Sequence, residues 1–137
     1  APGISNVVDD SSPQLGGNLD LNSNNITGTG NINITGTSNA KSVWESKSSG
    51  FTAEAQKSYF VDTSSAALTA TLPASAAIGD EVRFLDVAGT FDTNNLTVGR
   101  NSHKIQGDAS DLTVSTERAG FALVYYNAAQ GWLIKDK

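Results

Sequence analysis

Carboxylates and one histidine are the side chains of this sequence that could do acid–base or metal chemistry. The acidic candidates lie in turn-like, polar surroundings, and they are Asp9, Asp10, Asp20, Asp108 and Asp111. A catalytic carboxylate pair needs one member in an apolar pocket that raises its pKa, and the local sequence offers none. The single histidine, His103, cannot form a metal-binding or proton-relay pair within one chain. The sequence therefore predicts no enzyme, no cofactor and no metal site. Three copies of His103 around a threefold axis, or calcium held by the Asp- and Asn-rich loops, stay open as alternatives.

Polar residues in two predicted loops, and two tryptophans, are the candidates for binding a sugar. The loops 91–95 and 100–108 supply side chains that can hydrogen-bond hydroxyl groups, namely Asn94, Asn101, His103 and Lys104. Trp44 and Trp132 have flat faces that could stack on a pyranose ring, although large aromatic side chains are first of all core residues. We take the four polar residues as candidate receptor contacts. Their alternative is a pair of solvated loops, with His103 as a solvated loop histidine.

The charge balance excludes two classes of partner. The 137 residues contain 14 acidic and 9 basic side chains, for a net charge of −5. Such a chain repels the phosphate backbone of nucleic acids and the surface of anionic membranes. No apolar run approaches the roughly 20 residues that a membrane span requires. We expect neither nucleic acid nor membrane as a partner.

The N-terminal part of the sequence is polar and imperfectly repeated. Gly17-Asn18-Leu19-Asp20-Leu21 is echoed by Gly30-Asn31-Ile32-Asn33-Ile34, and Ile26-Thr27-Gly28-Thr29 by Ile34-Thr35-Gly36-Thr37. Each unit reads as a short apolar–polar–apolar strand followed by an Asn- or Gly-rich turn. We predict that residues 1–42 form an extended, β-rich segment for assembly or attachment, hereafter the stem, and that residues 43–137 form a β-sandwich domain, the knob.

The stem is too polar to fold by itself, because it cannot bury enough apolar surface to offset its ordering entropy. Its single row of leucine and isoleucine side chains needs partners, and three chains wound around a common axis would supply them. We therefore predict an intertwined homotrimer whose interface contains Leu19, Leu21, Ile26, Ile32 and Ile34, together with Trp44 at the junction with the knob. A flexible Asn/Gly/Ser linker is the alternative.

The knob sequence has the pattern of an antiparallel β-sandwich, in which short strands alternate with turn signals. The longer predicted strands are Tyr59–Asp62, Ala67–Leu72, Glu81–Val87 and Phe121–Tyr126. The shorter ones are Leu96–Val98, Lys104–Ile105, Leu112–Val114 and Trp132–Ile134. We expect the core to contain Leu72, Val82, Phe84, Leu112, Leu123 and Ile134.

The order of these motifs resembles proteins of bacteriophage virions. The run from Val8 to Asn22, with its continuation from Asn25 to Ile32, resembles a segment of tail-fibre and other virion proteins of cyanophages and related marine phages. The second half resembles the small β module that often follows this segment, in pieces such as Tyr59-Phe60-Val61-Asp62-Thr63, Thr71-Leu72-Pro73-Ala74 and Gly131-Trp132-Leu133. Each motif is short, and it is their shared order, over most of the chain, that carries the resemblance.

The resemblance implies a homotrimeric tail-fibre part on the virion, with a β-structured stem and a β-sandwich knob. Its partners would be further copies of itself, neighbouring virion or tail proteins and, where the module forms a fibre tip, a host-surface glycan. The resemblance brings no catalytic residues, and such modules serve either as receptor-binding tips or as spacers. Two other functions stay open: a carbohydrate-binding module that uses Trp44 or Trp132, and a capsid decoration or head-fibre protein.

Overall fold

The computed structural model describes residues 11–137, in which every regular element is a β-strand. The chain divides between Ser38 and Asn39 into an N-terminal and a C-terminal unit. Asp9, Asp10 and the other residues of the stem up to residue 10 lie outside the described residues, and the predictions made for them stay predictions. The all-β class expected from the sequence is confirmed for the part of the chain that is described.

The described part of the stem, residues 11–42, consists of turns, bends and irregular chain without a strand. The Asn-rich turn after Leu21 is formed: Asn22 and Ser23 have positive φ angles of 46° and 67°, and the backbone N–H of Asn24 donates to the Leu21 carbonyl at 2.8 Å. The short strands predicted at Leu19–Leu21 and Ile32–Ile34 are absent from the single chain. A strand of three residues forms only beside a neighbour that accepts its backbone hydrogen bonds, and these segments have no such neighbour.

The knob contains nine strands in two sheets. The five-stranded sheet has the order β1-β3-β5-β8-β9, with β1 at Trp44–Lys47, β3 at Lys57–Val61, β5 at Glu81–Asp86, β8 at Gly120–Asn127 and β9 at Gly131–Lys135. The four-stranded sheet has the order β2-β4-β6-β7, with β2 at Phe51–Thr52, β4 at Leu68–Thr71, β6 at Leu96–Gly99 and β7 at Leu112–Val114.

Both sheets are mixed, so the prediction of an antiparallel sandwich is wrong. The first six strands alternate between the sheets, so that β1, β3 and β5 are parallel neighbours in one sheet and β2, β4 and β6 in the other. A chain that crosses to the opposite sheet and returns enters its next strand in the original direction, which places parallel strands side by side. The antiparallel pairs all involve the last three strands: β7 pairs with β6, β8 with β5, and β9 with β8.

One core lies between the two sheets, and it contains most of the residues expected there. Leu72, Val82, Phe84 and Leu123 are fully buried, as predicted. The Phe84 ring lies 6.0 Å from that of Tyr59 and 5.6 Å from that of Phe121, between the centroids, so aromatic side chains of three adjacent strands fill the centre of the core. Leu112 and Ile134, which were also expected in the core, are only half-buried and pack against its margin.

A tight turn joins the last two strands, and Gly131 is required where β9 begins. Its φ of +71° lies in the left-handed region that glycine tolerates best. A Cβ atom at this position would also overlap the backbone of Lys104. The close approach allows the Trp132 N–H to donate to the Lys104 carbonyl at 2.8 Å, which ties the loop after β6 to the last strand.

Candidate functional site

The apolar row of the stem is exposed in the single chain. The exposed fractions are 60% for Leu19, 37% for Leu21, 66% for Ile26, 73% for Ile32 and 59% for Ile34. Soluble proteins commonly expose single apolar residues, whereas contiguous exposed apolar patches are typical of interaction sites. The stem residues that were predicted to lie in a subunit interface are therefore accessible to a partner in the single chain.

Trp44, the remaining predicted interface residue, lies on the outer face of the five-stranded sheet. Its ring stacks on that of Phe60, with 4.5 Å between the centroids, and 40% of the residue is exposed. A shallow depression of about 180 Å³ lies beside the indole and is bordered by Arg83, Leu85 and Asp136, among others. One face of the Trp44 ring is thus in contact with Phe60, and the rest of the side chain is partly exposed.

Trp132, the other candidate for stacking on a sugar, is completely buried. Its ring makes an edge contact with that of Tyr125, with 5.5 Å between the centroids. An indole without exposed surface cannot stack on a pyranose ring. The sugar-binding alternative is therefore wrong for Trp132 and remains for Trp44 alone.

The four candidate receptor contacts lie at opposite ends of one strand. Asn94 precedes β6, whereas Asn101, His103 and Lys104 follow it. A strand advances by about 3.3 Å per residue, so the two groups are separated by the full length of β6. The structure does not bring all four together at one contact point.

The amide groups of the two asparagines hold loops in place. The Asn94 Nδ2 donates to the Thr63 carbonyl at 2.8 Å, and the Asn101 Nδ2 donates to the Leu72 carbonyl at 2.9 Å. Asn101 also has a positive φ of 47°, a conformation that asparagine tolerates better than most residues. These contacts give both side chains a structural role, whatever they bind besides.

His103 is half-buried and is not the solvated loop histidine that its neighbours suggested. Its ring contacts that of Tyr125 edge-on, with 5.3 Å between the centroids, and its Nε2 lies 3.0 Å from the Ala74 carbonyl oxygen. The Nε2 therefore acts as a donor to this carbonyl.

Among residues 11–137, no group of three or more His, Asp or Glu side chains is arranged to hold a metal ion.

The aspartates that were weighed for catalysis serve as backbone acceptors where the structure describes their hydrogen bonds. Asp20 Oδ1 accepts the N–H of Asn22 at 2.8 Å, and Asp111 Oδ1 accepts the N–H of Arg100 at 2.9 Å. These are bonds of the kind that stabilise turns and loop closures.

Asp86, at the end of β5, is the buried carboxylate of the knob, and sequence reasoning missed it. It is 2% exposed; its Oδ1 accepts the N–H groups of Gly89 and Thr90, and its Oδ2 those of Phe91 and Arg118, at 2.9 to 3.1 Å. Burial raises the pKa of Asp86, but these four hydrogen bonds together outweigh it and hold the pKa below the ordinary 3.8. The signal in the sequence was an aspartate three residues before a turn glycine.

Ion pairs on the outer surface of the knob involve partly exposed side chains. Lys57 Nζ lies 2.9 Å from Glu45 Oε1 and 3.1 Å from Glu54 Oε2, and the hydrogen bonds to these two carboxylates raise the pKa of Lys57. The pKa of Glu45 is lowered by the same bond from Lys57 and by a second one from Lys47. Exposed pairs of this kind contribute little to stability, and their charges are mutually satisfied.

A groove of about 570 Å³ runs beside β7 and was not anticipated from the sequence. Its apolar lining comes from Leu112, Val114, Phe121 and Ile134, and charged side chains of both signs lie at its rim. β7 ends its sheet and pairs through one edge with β6. No backbone group of residues 11–137 bonds to the other edge of β7.

In the described part of the chain there is no helix of the length and apolar character needed to cross a membrane. Comparison of the sequence with models of protein families found no matching family, and comparison with curated proteins found no matching relative.

Proposed function

We propose that this chain is a structural module of a bacteriophage tail fibre, in which three copies join through their stems and present their knobs on the virion. The observation that carries the proposal is the exposed row of leucine and isoleucine side chains in residues 11–42, the described part of the stem, which contains no strand. The phage assignment rests on the order of sequence motifs that resemble those of virion proteins. Such a module acts by holding its knobs rigidly on the virion. Where it forms the tip of a fibre, it contributes to host attachment.

The energetics favour assembly over an isolated stem. Each leucine or isoleucine that becomes buried contributes roughly 1.5–3 kcal/mol, and the gain is repeated in every copy. A threefold arrangement also supplies neighbouring strands for Leu19–Leu21 and Ile32–Ile34, whose backbone groups then pair between chains. Trp44, with its exposed indole at the first strand of the knob, is the remaining residue that we assign to the subunit interface.

The mass of the 137-residue chain in solution tests the assembly. We expect light scattering to give about three times the 14.2 kDa mass of the chain. A stable monomer at micromolar concentration would contradict the trimer, and a monomer with an unprotected stem in hydrogen exchange would support the linker alternative.

The position on the virion is tested by immunogold electron microscopy of phage particles that contain the protein. Label along the tail fibres is the expected result. Label confined to the capsid would replace the proposal by the head-fibre or decoration alternative. Competition between the purified module and phage for host cells then decides whether the module is a tip, and failure to compete identifies a spacer or adaptor.

Carbohydrate binding at Trp44 is the second candidate function. The exposed indole beside a depression that Arg83 and Asp136 border is the observation in its favour, since aromatic stacking with flanking polar groups is a common way to hold a sugar. A glycan array would show binding that Trp44→Ala abolishes and that Tyr126→Ala, at another exposed aromatic residue of the knob, leaves unchanged. Absence of any bound glycan would remove this function.

A further inference from the structure

The outer edges of β9 and β7 differ in whether other parts of the chain form hydrogen bonds to their backbone groups. The Gln106 backbone N–H donates to the Trp132 carbonyl at 2.8 Å, and its side-chain Oε1 accepts the Ile134 N–H at 3.0 Å, so β9 is covered by the loop after β6. The outer edge of β7 has no backbone partner among the described residues. An uncovered edge strand is a template for a further strand.

The space beside that open edge is the position that a fifth strand of this sheet would occupy. The sheet that ends in β7 has four strands against five in the opposite sheet. The groove beside β7 exposes Leu112 and Val114 from one sheet and Phe121 and Ile134 from the other. Leu112 and Ile134 have the sequence pattern of core residues, and the single chain leaves both half-covered. A strand added to β7 would place its inward side chains against these four residues.

The stem contains a segment whose exposed isoleucines could fill this groove. Ile32-Asn33-Ile34 alternates apolar and polar side chains over three residues, the length of β7, and both isoleucines are mostly exposed. The chain from Asn22 to Ser38 carries no charged residue, so its insertion removes no ion from water. Leu19-Asp20-Leu21 has the same alternation but carries a charge at its centre, which Ile32-Asn33-Ile34 does not.

We propose that the groove beside β7 is the docking site for the stem of a second copy of this chain, with Ile32-Asn33-Ile34 added to β7 as a new edge strand. Main-chain hydrogen bonds to β7 would supply affinity, and the two isoleucines would fill the groove between the sheets. A contact in which each copy donates a stem and accepts another is head-to-tail, and such contacts form a closed ring when three successive rotations return to the first copy. This inference rests on the proposed assembly of three copies and identifies the surface through which they join.

Disulfide trapping between two different chains tests the contact. The sequence has no cysteine, so introduced thiols have no competitors. One 137-residue chain carries Asn33→Cys and the other Thr113→Cys, at the exposed middle residue of β7. The two are mixed unfolded, refolded together and oxidised, and mass spectrometry of tryptic peptides measures the fraction joined between the two positions. Because each chain carries one thiol, every such link joins two copies.

Thr69→Cys is the matched control. Thr69 is exposed and lies in the same cross-strand row as Thr113, through Thr97, but on β4, which has a partner on each side. We expect the yield of links from Asn33→Cys to be several-fold higher with Thr113→Cys than with Thr69→Cys. Equal yields at the two positions, or no links at either, would overturn the docking site.

Light scattering of the same refolded samples separates this result from the fate of the proposed function. An oligomer without preferential links at Thr113→Cys refutes docking beside β7 and leaves the trimeric fibre module standing. A monomer without links refutes both. An oligomer with preferential links supports both.

Discussion

Asp86 shows how one side chain organises two separate loops of the knob. Its two carboxylate oxygens accept N–H groups from residues 89–91 and from Arg118, which lies 32 residues further along the chain. Hydrogen bonds to an ionised acceptor are stronger than neutral ones, and a buried carboxylate without them would be very costly. The ionised form of Asp86 therefore holds the turn after β5 against the loop before β8.

Replacement of Asp86 by asparagine should destabilise the knob by about 3 kcal/mol at neutral pH, because an amide NH₂ group then faces two backbone N–H donors. Urea unfolding monitored by tryptophan fluorescence measures this loss. Asp92→Asn is the control, since Asp92 is exposed on the same loop and bonds only to its neighbour Thr93. An equal effect of the two substitutions would contradict the role of Asp86.

The same carboxylate makes the stability of the knob depend on acid. Because the pKa of Asp86 is lower in the fold than its ordinary value of 3.8, its contribution is complete above that value and is lost as the pH falls toward the lowered pKa. The wild-type protein should therefore lose stability below about pH 4, and Asp86→Asn should lack this part of the loss. Parallel slopes for the two proteins below that pH would contradict the lowered pKa.

The strand β5 holds the knob together, because it joins the parallel and antiparallel parts of the five-stranded sheet. It pairs with β3 in parallel and with β8 in antiparallel orientation. Its inward side chains, Val82, Phe84 and Asp86, are buried, whereas Arg83 and Leu85 on the other face are half-exposed. Alternation with a period of two therefore assigns the core face of this strand correctly.

Phe84→Ala should destabilise the knob by about 3–5 kcal/mol, because it removes a ring that contacts aromatic side chains of the two neighbouring strands. Leu85→Ala, on the outer face of the same strand, should cost clearly less. Chemical denaturation gives both values. A loss below about 1 kcal/mol for Phe84→Ala would show that the core can close over the missing ring.

At the level of the whole molecule, the proposed association of chains depends on the exposed apolar side chains in the stem. We expect a segment as polar as the stem to need partners, since its own side chains cannot offset the entropy of fixing its backbone. The proposed trimer supplies these partners, and the groove beside β7 offers one surface on which they meet.

The double substitution Ile32→Asn with Ile34→Asn should therefore shift the mass in light scattering toward that of the single chain. Circular dichroism and the unfolding transition of the knob should change little, because these residues lie outside its core. Ile78→Asn is the control, since Ile78 is 74% exposed but belongs to the knob. An unchanged oligomer in the double variant would place the subunit interface elsewhere.

The strands and most of the core were predictable from the sequence because they depend on local alternation. Strands β3, β4, β5, β6, β7, β8 and β9 all overlap segments whose apolar and β-branched residues predicted them. Leu72, Val82, Phe84 and Leu123 were expected in the core and are buried. A period of two fixes which side chains share a face, and a strand that buries one face must turn its apolar side inward.

The candidate site was predictable only in part. The exposed row of the stem was identified by residue type, because leucine and isoleucine in a polar segment stand out without any structure. The roles of Asn94 and Asn101 were not, since their amides bond to carbonyls 31 and 29 residues away in sequence. Trp132 was placed by packing against Tyr125, a contact that no local pattern reveals.

The direction and order of the strands were decided by the tertiary structure alone. Trp44, Ser58 and Arg83 occupy equivalent positions in three parallel strands, yet their spacing along the chain is unequal. For this reason no repeat in the sequence indicates that the strands alternate between the two sheets. Which edge is covered also depends on a distant loop, through Gln106. Local alternation determines the faces of a strand, whereas its neighbours are determined by long-range hydrogen bonds and packing. For this reason the sequence by itself determined an all-β chain with a polar stem, and only the fold revealed an open edge beside an apolar groove.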